Sequence, residues 1–211
     1  MARKSKRKKV YTTAFVACEG VREYIFLSRI KDVLSNELEA NHIKFYIDDK
    51  KNQYGGSPEK RLATALKNCA KYDRVAAWLD NDVQINNPEI LEDLAKAWCL
   101  NEPIPQDITL EQLRDLNVNQ RKPVIILARP LSIESVIMQA LGHPIPNLRE
   151  DLNAHDNVHK VLKPALAGVL QFSKNSKLEE EYYKNNLSRT DLLARIDDIP
   201  TLRELFNFLE V

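Results

Sequence analysis

Two aspartates one residue apart close an apolar run, Val75-Ala-Ala-Trp-Leu-Asp-Asn-Asp-Val83. Residues i and i+2 of an extended chain point to the same side, so Asp80 and Asp82 at the end of a buried strand bring two carboxylates to one place. Hard oxygen donors in that arrangement suit a divalent cation, Mg²⁺ or Mn²⁺. An earlier segment has the same form: Ala14-Phe-Val-Ala-Cys-Glu-Gly20 is apolar and ends on Glu19 and Gly20. A third begins at Val124 and runs through Arg129 to Glu134. If the three runs are parallel neighbours, Glu19, Asp80, Asp82 and Glu134 meet at one edge of a sheet, where they could hold one ion or two. An acid after an apolar strand is also a common helix cap, so each has a plain structural reading on its own. Their shared position at successive strand ends gives the set its weight.

The elements that must position these acids follow from periodicity and punctuation. Thr12–Cys18 reads as a buried strand, and Tyr24–Leu38 as a helix with Ile25, Phe26, Ile30, Val33, Leu34 and Leu38 at helical spacing. Ile43–Ile47 is a short strand. Gly55-Gly-Ser-Pro58 passes into a helix with Ser57 as N-cap and Pro58 in the first position, turning Leu62, Leu66, Cys69 and Ala70 inward. Arg74–Leu79 is the strand that carries the aspartate pair. Asn87-Pro-Glu89 opens another helix, with Ile90, Leu91, Leu94 and Trp98 inward. Thr109 with Gln112 forms a capping box for a short helix through Leu116. Pro123–Ala128 is the fourth strand, and the helix after it has Ile133, Val136, Ile137, Ala140 and Leu141 on its face and stops at Gly142. This alternation predicts an α/β fold: a four-stranded parallel sheet flanked by helices, with its active crevice beyond the carboxyl ends of the strands. After Pro144 and Pro146 no strand is legible. Thr201 with Glu204 reads as the cap of a last helix whose Leu202, Leu205, Phe206 and Leu209 need a surface to pack on. The expected organisation is a basic arm over residues 1–11, an α/β domain over 12–142 and a helical extension over 143–211.

Net charge is only +1 across 211 residues, but Arg3, Lys4, Lys6, Arg7, Lys8 and Lys9 place six positive charges ahead of the first strand. Without them the chain is net acidic. Such an arm suits a nucleic-acid backbone, through counterion release, or serves as a solubilising tail. No apolar run approaches a membrane span, and the basic start is not followed by a hydrophobic signal segment. Cys18, Cys69 and Cys99 lack metal-type spacing and read as buried thiols of a cytoplasmic protein. His155 and His159, four apart, have no third ligand nearby in sequence and read as solvated.

On these residues the chain resembles the Toprim catalytic domain, whose signature is Glu-Gly after the first strand and Asp-x-Asp after the third, here Glu19-Gly20 and Asp80-Asn-Asp82. A closer resemblance is to the RloB-like family, Toprim-type proteins related to the OLD-type nucleases and linked to restriction and abortive-infection loci. It rests on Cys18-Glu-Gly20, on Gly55-Gly-Ser-Pro58, on the aspartate pair and, in part, on Arg129-Pro-Leu-Ser-Ile-Glu134, and it covers roughly residues 12–142. Where that family reaches a Thr-Glu pair, this chain has the shorter Val21-Arg-Glu23, and Glu23 is the nearest counterpart. The resemblance implies metal-dependent cleavage of phosphodiesters in DNA or RNA. Asp80 and Asp82 would hold one Mg²⁺, Glu19 would bind or bridge a metal or act as base, and Glu134 would complete a second position. It also implies an ATPase partner in an anti-phage defence system, and it is compatible with a homo-oligomer. Candidate phosphate or substrate contacts are Gly20, Glu23, Gly55, Gly56, Ser57 and Arg129. For Arg129 the alternative is a salt bridge to one of the acids, and for the glycine pair a plain turn.

Two other readings stay open. Leu79-Asp-Asn-Asp-Val83 looks like the motif of haloacid-dehalogenase-type phosphatases, although those place it on the first core strand. Sugar-nucleotide glycosyltransferases also use Asp-x-Asp, but no other nucleotide-binding feature accompanies it here. The domain could also bind nucleic acid or a partner without catalysis, with the acids as a regulatory metal site.

Overall fold

A computed structural model of the chain describes residues 10–48, 57–82, 84–171 and 175–211. Its first element is β1 (Thr12–Cys18). Two helices follow, α1 (Val21–Val33) and α2 (Ser35–Ala40), then β2 (Ile43–Ile47). The helix expected over Tyr24–Leu38 is thus divided at Leu34. Val33, Ser35 and Asn36 are weak helix formers, and the break leaves Leu34 fully buried and Leu38 5% exposed, both in the core. Next come α3 (Pro58–Asn68) and β3 (Arg74–Asp80). Ser57 occupies the N-cap of α3, but its side chain makes no capping bond. The inward face of α3 is Pro58, Arg61, Leu62 and Ala65, whereas Ala70 is exposed.

Two short strands escaped the sequence reading. β4 (Gln84–Ile85) and β5 (Ile108–Thr109) pair antiparallel and bracket α4 (Pro88–Trp98). Segments of two residues carry no period to detect. Asn87 caps α4 through bonds from the Glu89 and Ile90 amides, and Thr109 with Gln112 makes the expected capping box on α5 (Leu110–Leu116). At the far end of α4 the chain turns with Cys99 in the left-handed region at φ 53°. Cys99 is exposed and Cys69 half-buried, so of the three cysteines expected inside only Cys18 lies in the core. Trp98 takes the inward place, donating its indole N–H to the Pro123 carbonyl at 2.9 Å.

The fourth sheet strand is β6 (Val124–Ala128), followed by α6 (Ile133–Ala140). The sheet order is β2-β1-β3-β6, and every pair is parallel. Because side chains alternate, each strand feeds both faces. Val16, Cys18, Ala76, Trp78, Ile126 and Ala128 face one core with α1 and α6. Phe15, Ala17, Val75, Ala77, Leu79, Ile125 and Leu127 face the other with α3, α4 and α5.

The remainder is helical, as expected: α7 (Ala154–Asn157), a π-helical turn (Val158–Leu162), α8 (Lys163–Leu170), α9 (Ser176–Asn186), α10 (Arg189–Arg195), a 3₁₀ turn (Ile196–Asp198) and α11 (Pro200–Leu209). Leu166, Leu170, Tyr183, Leu187, Leu192, Leu202, Leu205 and Phe206 from these helices join the first of the two cores. Among the described residues, no helix is long and apolar enough to cross a membrane.

Thr201 does not cap α11. The helix starts at Pro200, a residue suited to the first position, which makes Ile199 the N-cap and puts Thr201 inside. Its hydroxyl instead donates to the Leu127 carbonyl at 2.8 Å and accepts from the Arg129 amide at 3.1 Å. Both groups belong to the outer edge of β6, so one side chain satisfies the edge as a neighbouring strand would. The isosteric change Thr201→Val leaves both partners unpaired in a fully buried place. It should lower unfolding free energy by about 1–3 kcal/mol in urea denaturation. A loss within experimental error would mean that the edge is satisfied by other means.

Candidate acid site at the carboxyl edge of the sheet

A sheet ordered β2-β1-β3-β6 reverses its winding between β1 and β3, and ligand crevices in open α/β sheets lie at such switch points, beyond the carboxyl ends. Glu19 follows the last residue of β1, and Asp80 is the last residue of β3, so the two flank that crevice. Gly20 is the N-cap of α1 with extended backbone, φ −143°. What it supplies is room: a Cβ there would stand 2.7 Å from Glu23 Oε2. Glu23, in the first turn of α1, is 7% exposed and belongs with the acids rather than with the phosphate contacts proposed for it.

Asp80 has a structural duty as well. Its Oδ1 accepts from the amide of Ile133, the first residue of α6, at 2.8 Å. The Asn81 amide donates to the Leu131 carbonyl at 2.7 Å, which ties the ends of β3 and β6 together. Glu134, the next residue of α6, is 3% exposed. Its Oε1 accepts from Arg22 Nη1 at 2.9 Å. Arg22 Nε donates to Glu179 Oε1 at 2.8 Å, and the Tyr183 hydroxyl donates to the same oxygen at 2.6 Å. His155 and His159 are both exposed, as expected, with their rings 4.4 Å apart and His155 Nδ1 3.5 Å from Asp82.

The electrostatics bind Glu19, Glu23, Asp80, Asp82 and Glu134 into one group. Burial, then the charges of Glu23 and Asp82, push Glu19 up to about 8, against the pull of Arg61. Burial and the Glu134 charge raise Glu23, with Arg22 opposing. Asp80 is raised well above the usual carboxylate range by burial and by Glu23, Glu19 and Glu134, and the Ile133 amide only partly offsets this. Glu19, Glu23 and Asp80 are thereby all held toward their protonated forms.

The donor set fits Mg²⁺ or Mn²⁺ in kind: every member is a hard oxygen donor. Glu19 Oε1 and Glu134 Oε2 are buried with no hydrogen-bond partner among the described residues. As the side chains stand, no three Asp, Glu, His or Cys among the described residues are gathered closely enough to hold an ion. Binding one would therefore need side-chain rotation at this edge.

Other expected contacts fall elsewhere. Arg129 pairs with Glu204 of α11 at 3.1 Å and not with one of the four acids, because β6 ends by turning this side chain toward α11. Ser57 is exposed at the start of α3. Gly55, Gly56 and the arm residues Arg3, Lys4, Lys6, Arg7, Lys8 and Lys9 lie outside the described residues. Sequence reasoning missed Arg22, Glu179 and Tyr183. Arg22 closely follows the Cys18-Glu-Gly20 segment and was within reach of a local reading. Glu179 lies in a polar stretch and gave no signal.

The parallel sheet, its helical layers and the acids at its carboxyl edge make this a Rossmannoid, Toprim-like α/β protein with a helical C-terminal extension. Comparison with known proteins finds no matching family model, curated protein or solved structure.

Proposed function

We propose that this protein is a Mg²⁺- or Mn²⁺-dependent nuclease that hydrolyses phosphodiester bonds of DNA or RNA. The observation that carries the reading is the group of mutually repelling carboxylates at the switch-point crevice, with Glu19 pushed up to about 8 by burial and its acidic neighbours. Buried carboxylates that repel one another cost the fold stability, whereas a divalent cation and a phosphate-bearing substrate give the group a use. In this reading Asp80 and Asp82 hold one ion, with Asp80 offering the oxygen that Ile133 leaves unused. Glu19 would help hold that ion or accept the proton of the attacking water, and Glu134 would serve a second position. When bound, the ion supplies Lewis-acid charge against the phosphate oxygens and acidifies the attacking water. The basic residues from Arg3 to Lys9 would add sequence-independent affinity for the backbone. The RloB-like resemblance adds an ATPase partner and a role in anti-phage defence to the proposal.

The test is incubation of the purified full chain with plasmid, single-stranded DNA and tRNA, in Mg²⁺, Mn²⁺ or EDTA, alone and with a candidate ATPase. Cleavage in either metal and none in EDTA is the expected result. Release of inorganic phosphate from small monoesters without any cut strand would move the protein to the phosphatase class. Divalent-cation binding with no turnover under any condition would make it a binding subunit.

A further inference from the structure

Arg22 connects the acid group to the C-terminal helices, and its two contacts are unequal. Toward α9 it is anchored: Nε donates to Glu179 Oε1 at 2.8 Å, and Glu179, only 4% exposed, is fixed in turn by the Tyr183 hydroxyl at 2.6 Å. Toward the site it holds half of a carboxylate: Nη1 donates to Glu134 Oε1 at 2.9 Å, while Glu134 Oε2 is buried without a partner among the described residues. Glu134 could leave Arg22 without setting the guanidinium adrift, because the bond to Glu179 remains. Arg22 is also the most exposed of the three side chains, at 22% against 3% for Glu134 and 4% for Glu179. A guanidinium has five N–H donors in a planar fork, and among the described residues two of them are committed. That fork matches the oxygens of a phosphate better than any other side chain does.

We propose that Arg22 is the residue that recognises the substrate phosphodiester, exchanging Glu134 for a non-bridging phosphate oxygen and so releasing Glu134 to a divalent cation. Substrate and cation then bind cooperatively. In their absence Arg22 supplies the positive charge that Glu134 requires. The inference rests on the metal-dependent reading and deepens it. It gives the C-terminal extension a share in the site, since Glu179 and Tyr183 hold Arg22 in place from α9.

A purely structural role for Arg22, tying α9 to α1, makes a different forecast: its removal costs stability and leaves ligand coupling untouched. Calorimetric titration of Mn²⁺ into the full chain separates the two. It is run alone and with saturating short phosphorothioate oligonucleotides, one single-stranded DNA and one RNA. In the wild type either oligonucleotide should tighten Mn²⁺ by about tenfold or more, and Mn²⁺ should tighten the oligonucleotide by the same factor. Tightening by only one of them identifies which nucleic acid supplies the phosphate. In Arg22→Met the coupling should vanish, while Mn²⁺ alone binds at least as tightly as to the wild type, because a competing charge has gone. If that variant does not fold, with Glu179 left buried and unpaired, the double variant Arg22→Gln, Glu179→Gln removes both charges and answers the same question. Coupling that survives in the arginine variants, or wild-type Mn²⁺ affinity indifferent to both oligonucleotides, overturns the inference. Asp80→Asn run alongside tells that failure from failure of the underlying reading. If Asp80→Asn loses Mn²⁺, the metal site stands and only the role of Arg22 falls. If it binds Mn²⁺ like the wild type, the metal site falls and the inference falls with it.

Discussion

Asp80→Asn is expected to abolish nucleic-acid cleavage while leaving the metal-free protein at least as stable as the wild type at pH 8. The two halves of this result have separate causes. Asparagine keeps an oxygen where Asp80 Oδ1 accepts from the Ile133 amide at 2.8 Å, so the start of α6 stays tied to β3. What disappears is a carboxyl whose charged form is opposed by burial and then by Glu23, Glu19 and Glu134. Relief of that repulsion favours the fold. In the proposed mechanism the same carboxylate would serve as a ligand of the divalent cation. Loss of a direct ligand should therefore reduce the rate well beyond the ~10–100-fold typical of losing an outer-shell partner. Asp80→Ala is the informative companion. It also strips the Ile133 amide of its acceptor at a residue only 1% exposed, a cost of about 1–3 kcal/mol. Cleavage rates at saturating Mg²⁺ and melting curves in EDTA for both variants separate chemistry from capping. Near wild-type cleavage by Asp80→Asn would remove Asp80 from the mechanism.

Stability of the metal-free protein should fall as pH rises from about 4.5 toward 8, and Mg²⁺ should cancel the fall. Glu19 has an ordinary value of 4.5 and is pushed up to about 8 in the fold, first by burial and then by Glu23 and Asp82. Between those values the folded chain holds a proton that the unfolded chain has lost. Stability is then highest below 4.5, declines through the window and levels off above about 8. A tenfold change in proton affinity is worth about 1.4 kcal/mol, so the Glu19 contribution amounts to a few kcal/mol at most. Glu23 and Asp80 are raised as well and act in the same direction. In the proposed reading a divalent cation would take the place of the protons, so its stabilising effect should grow across the same window, with proton release on binding. The measurement is melting temperature from pH 5 to pH 8.5, in EDTA and in Mg²⁺, for the wild type and Glu19→Gln. Subtracting the two proteins removes the histidines and other groups that titrate in the same range. A wild-type curve with the same slope as Glu19→Gln would show that Glu19 is not held protonated by its surroundings.

Much of this molecule was written locally in its sequence. The strands Thr12–Cys18 and Ile43–Ile47 occur with the boundaries that their apolar runs imply. The Asn87 cap and the Thr109–Gln112 capping box occur as well, because a cap is a contact between residues two or three apart. The acids at successive strand ends were legible for a similar reason: in a parallel sheet covered by helices, every strand delivers its last residue to the same edge. Tertiary structure alone decided the strand order, and with it the crevice between Glu19 and Asp80. It also decided that Thr201 closes the edge of β6, that Arg129 turns to Glu204, that His155 faces Asp82, and that Glu179 holds Arg22. Arg22 and Glu179 are 157 positions apart, and Thr201 and Leu127 are 74 apart. Backbone periodicity records which face of an element is buried, but not which polar side chain from a distant element will meet it. A glutamate such as Glu179 in Ser176-Lys-Leu-Glu-Glu-Glu-Tyr-Tyr183 reads as part of a solvated face. Only packing of α9 on α1 takes it out of water, and a buried carboxylate then requires the cation and the hydroxyl that the fold supplies.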